Sequence, residues 1–335
     1  MKKTLSVLIA AILILSSLSL LSCSNKDKLN RTVVGNVNGY EVYYEELRWL
    51  TMQYKDLIEA TYGEGLWDNP ELAEKHRAEL EDAVFSSIIS NYAVLTLCDE
   101  FSANGEKLID INGGDVPGLV DDYVKDTVNE LGGRSEYRKS LEKNYLTDSL
   151  YRFITGVDIC ESILFKYYCE LTYIDDSDEA ALDYIFENFI RTKHIYIQND
   201  AKDNVSENRA LADAVRVKLM NGEDLDTLIK NYSEDGYMST ENGYYFTHGQ
   251  YSEAYEAASF ALAIDEVSPV VETYSGYYII KRLELDTEYV MSNLYSGLKD
   301  QYFVAVFDKF IDEQKATLKF VPNEYGSSLD LTKMK

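Results

Sequence analysis

Residues 191–285 decide how the chain reads: RTKHIYIQ at 191–198, LMNGEDLDTLIKNYSED at 219–235, NGYYFTHGQYSEAYEAASFAL at 242–262 and VVETYSGYYIIKRLEL at 270–285. Periodicity makes this a small α/β unit. Residues 194–198 alternate as a strand. Leu211, Val215 and Leu219 recur at helical spacing until Gly222, a C-terminal stop. Leu225, Leu228, Ile229 and Tyr232 mark a second helix, and Tyr255, Ala258 and Leu262 a third, after a short strand at 244–247. Runs at 270–273 and 277–283 flank Ser275-Gly276, a hairpin signal.

These words, in this order, resemble a parvulin-type peptidyl-prolyl isomerase domain over about ninety-five residues. The family's "SHIL" strand is matched by Lys193-His194-Ile195-Tyr196, and its "GEDFxxLAxxYSxD" helix by Gly222 through Asp235. Its "GQM…FE.AAFAL" segment is matched by Gly249-Gln250-Tyr251 and Tyr255 through Leu262, and its closing "T..GYHIIK" by Thr273 and Gly276 through Lys281. The resemblance implies rotation of X–Pro bonds, a reaction that needs no nucleophile and no cofactor or metal. By the same resemblance, His194, Asp235, Thr273 and Tyr278 form the catalytic polar network. Gln250, Tyr251, Tyr255 and Phe260 bind substrate. Asp235 stands where parvulins carry Cys or Asp, Tyr251 replaces the usual Met or Leu, and Tyr255 the usual Phe. Tyr278 is the main departure, because the family has its second histidine there. A phenol supplies one O–H but no imidazole pair, so the motif leaves open whether the site is active. His248 reads as a surface residue, and His76 as a solvated group on a charged helix face.

The first 22 residues read as a leader rather than as fold: Lys2-Lys3, an apolar run from Leu5 to Leu15, then Leu20-Leu21-Ser22-Cys23. That ending resembles the bacterial lipobox, which implies cleavage before Cys23 and diacylglycerol on its thiol. An ordinary secretory signal or an uncleaved anchor are the alternatives. Residues 23–31 then form a polar tether. The net charge is −26, and losing Lys2 and Lys3 with the leader takes it to −28. No basic stripe is available to neutralise phosphates, which argues against nucleic acid as a partner. Cys98, Cys160 and Cys169 remain in the body; with no metal-ligand spacing they read as buried thiols, a disulfide to Cys98 being the alternative. Twenty-eight tyrosines against four prolines leave many phenols half-exposed.

Outside the central unit the pattern is helical. Val33 to Val42 reads as a hairpin around Asn38-Gly39. It resembles the N-terminal opening of SurA- and PrsA-type foldases. Asn69-Pro70 opens a long helix bearing Leu80, Val84, Ile88, Tyr92 and Leu95. Leu119, Tyr123 and Val128 mark another, closed by Gly132-Gly133, and further helices are expected at 135–143, 147–170 and 175–189. A single helix over 287–318 presents Met291, Leu294, Tyr295, Leu298, Tyr302, Ala305, Val306 and Phe310. The expected class is α+β. A mainly helical SurA/PrsA-like chaperone domain (32–190, completed by 286–320) would carry an inserted parvulin-like α/β domain (191–285) and end in a frayed tail (321–335). The function this implies is an extracytoplasmic foldase, lipid-anchored to the bacterial cell membrane. It would isomerise X–Pro bonds and chaperone unfolded or newly secreted polypeptides. A holdase with a decayed site is the alternative, and a solute-binding lipoprotein a third reading, disfavoured by the absence of alternating βα units.

Overall fold

The structure, a computed structural model, describes residues 28–103, 106–170, 174–199, 205–238, 241–273 and 275–335. The expected leader and Cys23 lie outside these residues. The described chain is α+β and divides into two compact units, one spanning residues 174–306 and the other residues 28–173 with 307–335.

The 174–306 unit is built on a four-stranded antiparallel sheet. Its strands are Ile190–Gln198, Tyr244–Phe246, Val271–Thr273 and Gly276–Leu283. Ile190–Gln198 lies between Tyr244–Phe246 and Gly276–Leu283. Because side chains alternate across a strand, its odd residues Ile195 and Ile197 enter a core with Ala212, Val215, Leu228, Ile229 and Ile279. Its even residues Ile190, Thr192, His194 and Tyr196 face the other way. Registers Ile190↔Phe246, His194↔Ile280 and Tyr196↔Tyr278 put Phe246, Ile280 and Tyr278 beside them. That second face is where the site forms.

Helix Val205–Met220 stops at Gly222, φ +92°. Helix Leu225–Tyr232 starts on Asp224, whose carboxylate accepts from Thr227 N at 2.9 Å. Gly276 is irreplaceable for a different reason. Its φ is +147°, and a Cβ there would lie 2.2 Å from Ile197 O across the hairpin's neighbour strand. A Gly276→Ala variant is expected to lose about 2–4 kcal/mol, since strained backbone and a steric clash with a carbonyl act together. Chemical denaturation reads this out; a loss below about 1 kcal/mol would mean that the hairpin relaxes freely.

Helix Asp178–Asn188 and the run from Thr287 to Val306 also belong to this unit. They were expected with the helical domain. Lys299 Nζ to Asp178 Oδ1 at 2.7 Å, Tyr302 OH to Asp175 O at 2.8 Å, and the stacked Tyr245 and Tyr289 rings draw them in. The single helix expected over 287–318 is instead Thr287–Asn293, a 3-10 turn Leu294–Ser296, and Leu298–Thr317. Gly297 at φ +115° makes the break. Its turn leaves Met291 and Tyr295 exposed, while Val290, Leu294, Leu298 and Tyr302 are buried.

In the other unit, Val33–Val37 and Tyr40–Tyr43 form the expected hairpin, with Asn38 and Gly39 both at positive φ. Asn69 accepts from Glu71 N and Leu72 N, but the helix it opens, Pro70–Lys75, ends at His76 before Arg77–Glu100 begins. His76 at that break is buried, its Nδ1 2.8 Å from Glu79 Oε2 and its ring 4.2 Å from Tyr62, so it is not a solvated surface group. Helix Val116–Glu130 buries Val116, Val120 and Val124 and exposes Leu119 and Tyr123, the reverse of expectation. Two apolar stripes compete on this helix, and the buried one is the valine stripe, packed on helix Asp148–Glu170. Where that helix carries Gly156, a Cβ would press on Ile111 at 3.1 Å but meet Val120 at an ordinary contact distance of 3.7 Å. Cys98 and Cys160 are free and buried on helices Arg77–Glu100 and Asp148–Glu170. Phe307 and Phe310, late on Leu298–Thr317, pack on Phe165 and Tyr168. No described helix is long and apolar enough to cross a membrane.

The tail is not frayed. Phe320–Pro322 adds a third strand to the N-terminal hairpin, pairing Val321 with Asn36. Leu331, Thr332 and Met334 are buried. Lys55 Nζ donates to Thr332 O at 2.9 Å and to Met334 O at 2.8 Å, and Arg77 Nη1 bonds Asp330 at 2.9 Å. Its polar composition hid contacts made with residues at the far end of the sequence.

Candidate active site

His194 sits at the middle of its strand and is 2% exposed. After helix Leu225–Tyr232 the chain runs along the strand's open edge: Tyr196 N donates to Ser233 Oγ at 3.1 Å, and Glu234 N donates to Tyr196 O at 2.8 Å. This path delivers Asp235 to the imidazole, Oδ2 lying 3.0 Å from His194 Nε2. On the ring's other side, Tyr255 of helix Glu253–Ala261 places its hydroxyl 2.9 Å from Nδ1, and Thr192 Oγ1 lies 2.9 Å from the same hydroxyl. Asp235 also accepts from Tyr244 OH at 2.9 Å and from Tyr237 N at 2.9 Å.

Burial lowers the His194 pKa below its usual 6.5, outweighing the raising effect of Asp235. Asp235 is held down to about 2, first by the His194 hydrogen bond and then by Tyr237 N–H and Tyr244 O–H, against burial. The two shifts agree on a neutral imidazole beside an ionised carboxylate. A carboxylate only accepts, so Nε2 carries the proton and Nδ1 is the acceptor. Burial also pushes the Tyr251 phenol up to about 12, so it stays neutral at pH 7.

Around this network stand aromatic rings. Tyr278 meets the imidazole edge-on, with centroids 5.1 Å apart at 83°, and stacks on Tyr196 at 4.5 Å. Tyr251 lies 5.2 Å from Tyr255 and 5.8 Å from Tyr244. Tyr251 is held by Glu256, whose carboxylate accepts from Gly249 N at 3.0 Å, Gln250 N at 2.7 Å and Tyr251 N at 2.8 Å.

The structure thus brings His194, Asp235, Tyr251, Tyr255 and Tyr278 together, with Phe260 in the same apolar cluster, and separates Thr273 and Gln250 from the network. Thr273 spends its hydroxyl on Gly276 O at 3.0 Å, inside the hairpin turn. Gln250 folds back, its Oε1 accepting from Thr247 N at 3.3 Å. Phe260 packs on Phe246 and lies under the exposed His248 ring, 3.7 Å away. Tyr255 has moved inward: at 2% exposure it supports the wall from behind rather than lining it. Thr192, Tyr244 and Glu256 were missed. Only Glu256 carried a signal, a carboxylate in the first turn of a helix just after a Gly-Gln loop, where backbone N–H groups need an acceptor.

Residues 192–284 match the Rotamase family, the PPIC-type PPIase domain, so this part of the chain is a parvulin-type peptidyl-prolyl isomerase domain. The chain is homologous to PrsA foldase proteins. It is 26% identical over 290 residues to the foldase protein PrsA of Caldanaerobacter subterraneus subsp. tengcongensis, covering 84% of this chain and 82% of that protein. It is 35% identical over 97 residues to the foldase protein PrsA of Bacillus subtilis, covering 28% of this chain and 30% of that one. A crystal structure of peptidylprolyl isomerase PrsA from Bacillus anthracis is similar over 69% of this chain and 96% of that chain, with 17% identity and a TM-score of 0.30.

Proposed function

We propose that this chain is an extracytoplasmic foldase that rotates X–Pro bonds in unfolded or newly secreted polypeptides, tethered to the membrane by lipid on Cys23. The observation that carries the reading is the neutral His194 between Asp235 and Tyr255, beneath the partly buried rings of Tyr244, Tyr251 and Tyr278. Rotation about the amide must break resonance worth a barrier of roughly 18–20 kcal/mol. Planar amides are more polar than twisted ones, so removing water and offering an apolar wall destabilises the planar ground state relative to the transition state. His194 and Asp235 hold the floor of that wall in one geometry. The leader sequence and the similarity to PrsA foldases support the location and the clients.

The test is an isomerisation assay on X–Pro peptides with the chain from Ser24 onward. His194→Ala and Asp235→Ala are each expected to lower turnover roughly ten- to a hundredfold, the value of a buried hydrogen bond to a charged group. Equal rates in the wild type and both variants would remove these residues from the reaction. A holdase reading is favoured by the exposed Leu57, Tyr62, Leu119 and Tyr123 of the helical unit. A chain that suppresses aggregation of a denatured client without turning over any X–Pro peptide would establish it instead.

A further inference from the structure

We propose that the Tyr255 hydroxyl is the positioning group for His194, completing the buried network without a second imidazole; the proposal rests on the isomerase reading of this site. Asp235 accepts the Nε2–H hydrogen bond at 3.0 Å, which leaves Nδ1 as a lone pair in a side chain that is 2% exposed. The Tyr255 hydroxyl, 2.9 Å away, donates to it. Its oxygen is then free to accept from Thr192 Oγ1, also at 2.9 Å. Thr192 is fully buried and Tyr255 nearly so. The order of donation runs one way, from Thr192 through Tyr255 and His194 to Asp235, and every buried polar atom along it is satisfied.

The ring of Tyr255 does not require this hydroxyl. Its contacts with Phe246 and Tyr278, at 5.8 and 5.2 Å between centroids, are aromatic packing that a phenylalanine would also make. Among the described residues, His194 and Thr192 are the partners of the oxygen. Tyr278, which holds the sequence position of a histidine in the resembling family, meets the imidazole with its ring edge. The polar partner of Nδ1 therefore comes from the helix Glu253–Ala261 rather than from the neighbouring strand.

Removing the hydroxyl leaves the Nδ1 lone pair buried without a donor, while Asp235 still holds the proton on Nε2. Tyr255→Phe is the variant, studied in the chain from Ser24 onward with nitrogen-15 label in its three histidines. In the wild type at pH 7, the imidazole nitrogens of His194 should report the Nε2–H tautomer alone. In Tyr255→Phe the Nε2–H tautomer should remain, and the Nδ1 resonance should move toward that of a lone pair with no hydrogen bond. Turnover on an X–Pro peptide should fall about tenfold with KM unchanged, because the ring wall remains. The double variant Tyr255→Phe/Tyr278→His, which returns an imidazole to the neighbouring strand, should recover most of that loss. A role confined to packing would shift the melting temperature and leave the Nδ1 resonance where it was. An unmoved Nδ1 resonance in Tyr255→Phe overturns the assignment, and an unrecovered double variant overturns the substitution for a second imidazole. Absence of turnover in the wild type overturns the isomerase reading but not the nitrogen-15 result, which separates the two failures.

Discussion

A Glu46→Gln variant is expected to be more stable than the wild type at pH 8 by about 3 kcal/mol, and equal to it at pH 4. Glu46 lies on helix Tyr44–Tyr62 and is 2% exposed. Burial raises its pKa from 4.5 to about 7, although Asn91 Nδ2 at 3.0 Å and Tyr92 OH at 2.9 Å both favour the carboxylate. With the folded pKa above the unfolded one, the stabilising contribution is fully present below 4.5 and is lost as pH rises through about 7. The protonated side chain is well served: Tyr92 OH also reaches Glu41 O at 3.1 Å. It can accept from Glu46 and donate onward while Asn91 donates to the other oxygen. Glutamine reproduces that arrangement at every pH. Urea denaturation at pH 4 and pH 8 measures the difference, and a variant no more stable than wild type at pH 8 would show that Glu46 folds as a carboxylate at no cost.

Removing residues 324–335 is expected to destabilise the helical unit by roughly 4–6 kcal/mol, a large share of a typical domain's stability. Leu331 and Met334 are 3% and 7% exposed, and their burial alone is worth roughly 1.5–3 kcal/mol each. The deletion also leaves Lys55, 7% exposed, without its two carbonyl acceptors, and burial already lowers its pKa. Thermal melting followed by circular dichroism reads the outcome. Unchanged melting would mean that the tail merely rests on the surface.

Where a signal was local, the sequence reading reached the structure. Asn38-Gly39 makes its hairpin because both residues tolerate positive φ. Asp224 caps its helix as a short acceptor should. The alternation of Ile195 and Ile197 with His194 and Tyr196 already separated core face from site face. His194 and Asp235 met as the motif implied, since Ser233 and Glu234 bind the strand edge and leave little freedom to the next residue. Errors came where two elements had to choose each other. Leu119 and Tyr123 were as plausible a stripe as Val120 and Val124 until packing on helix Asp148–Glu170 buried the valines.

The sequence by itself therefore determined the isomerase domain, its strand order of faces and the pairing of His194 with Asp235. The strand's faces rest on a period of two residues and the helices on 3.6, with caps and turns that act over a few bonds, while the domain's identity and the pairing of His194 with Asp235 rest on the resemblance of its motifs to those of parvulins. Only the tertiary structure decided that Tyr255 gives its hydroxyl to Nδ1, that Thr273 and Gln250 turn away, and that the tail closes on Lys55. Those outcomes depend on which donor reaches which buried acceptor across 61 to 279 residues of chain, or on which nearer backbone group claims a side chain first. Sequence spacing carries no record of such distances, because burial makes an unsatisfied polar atom costly only once the fold has excluded water.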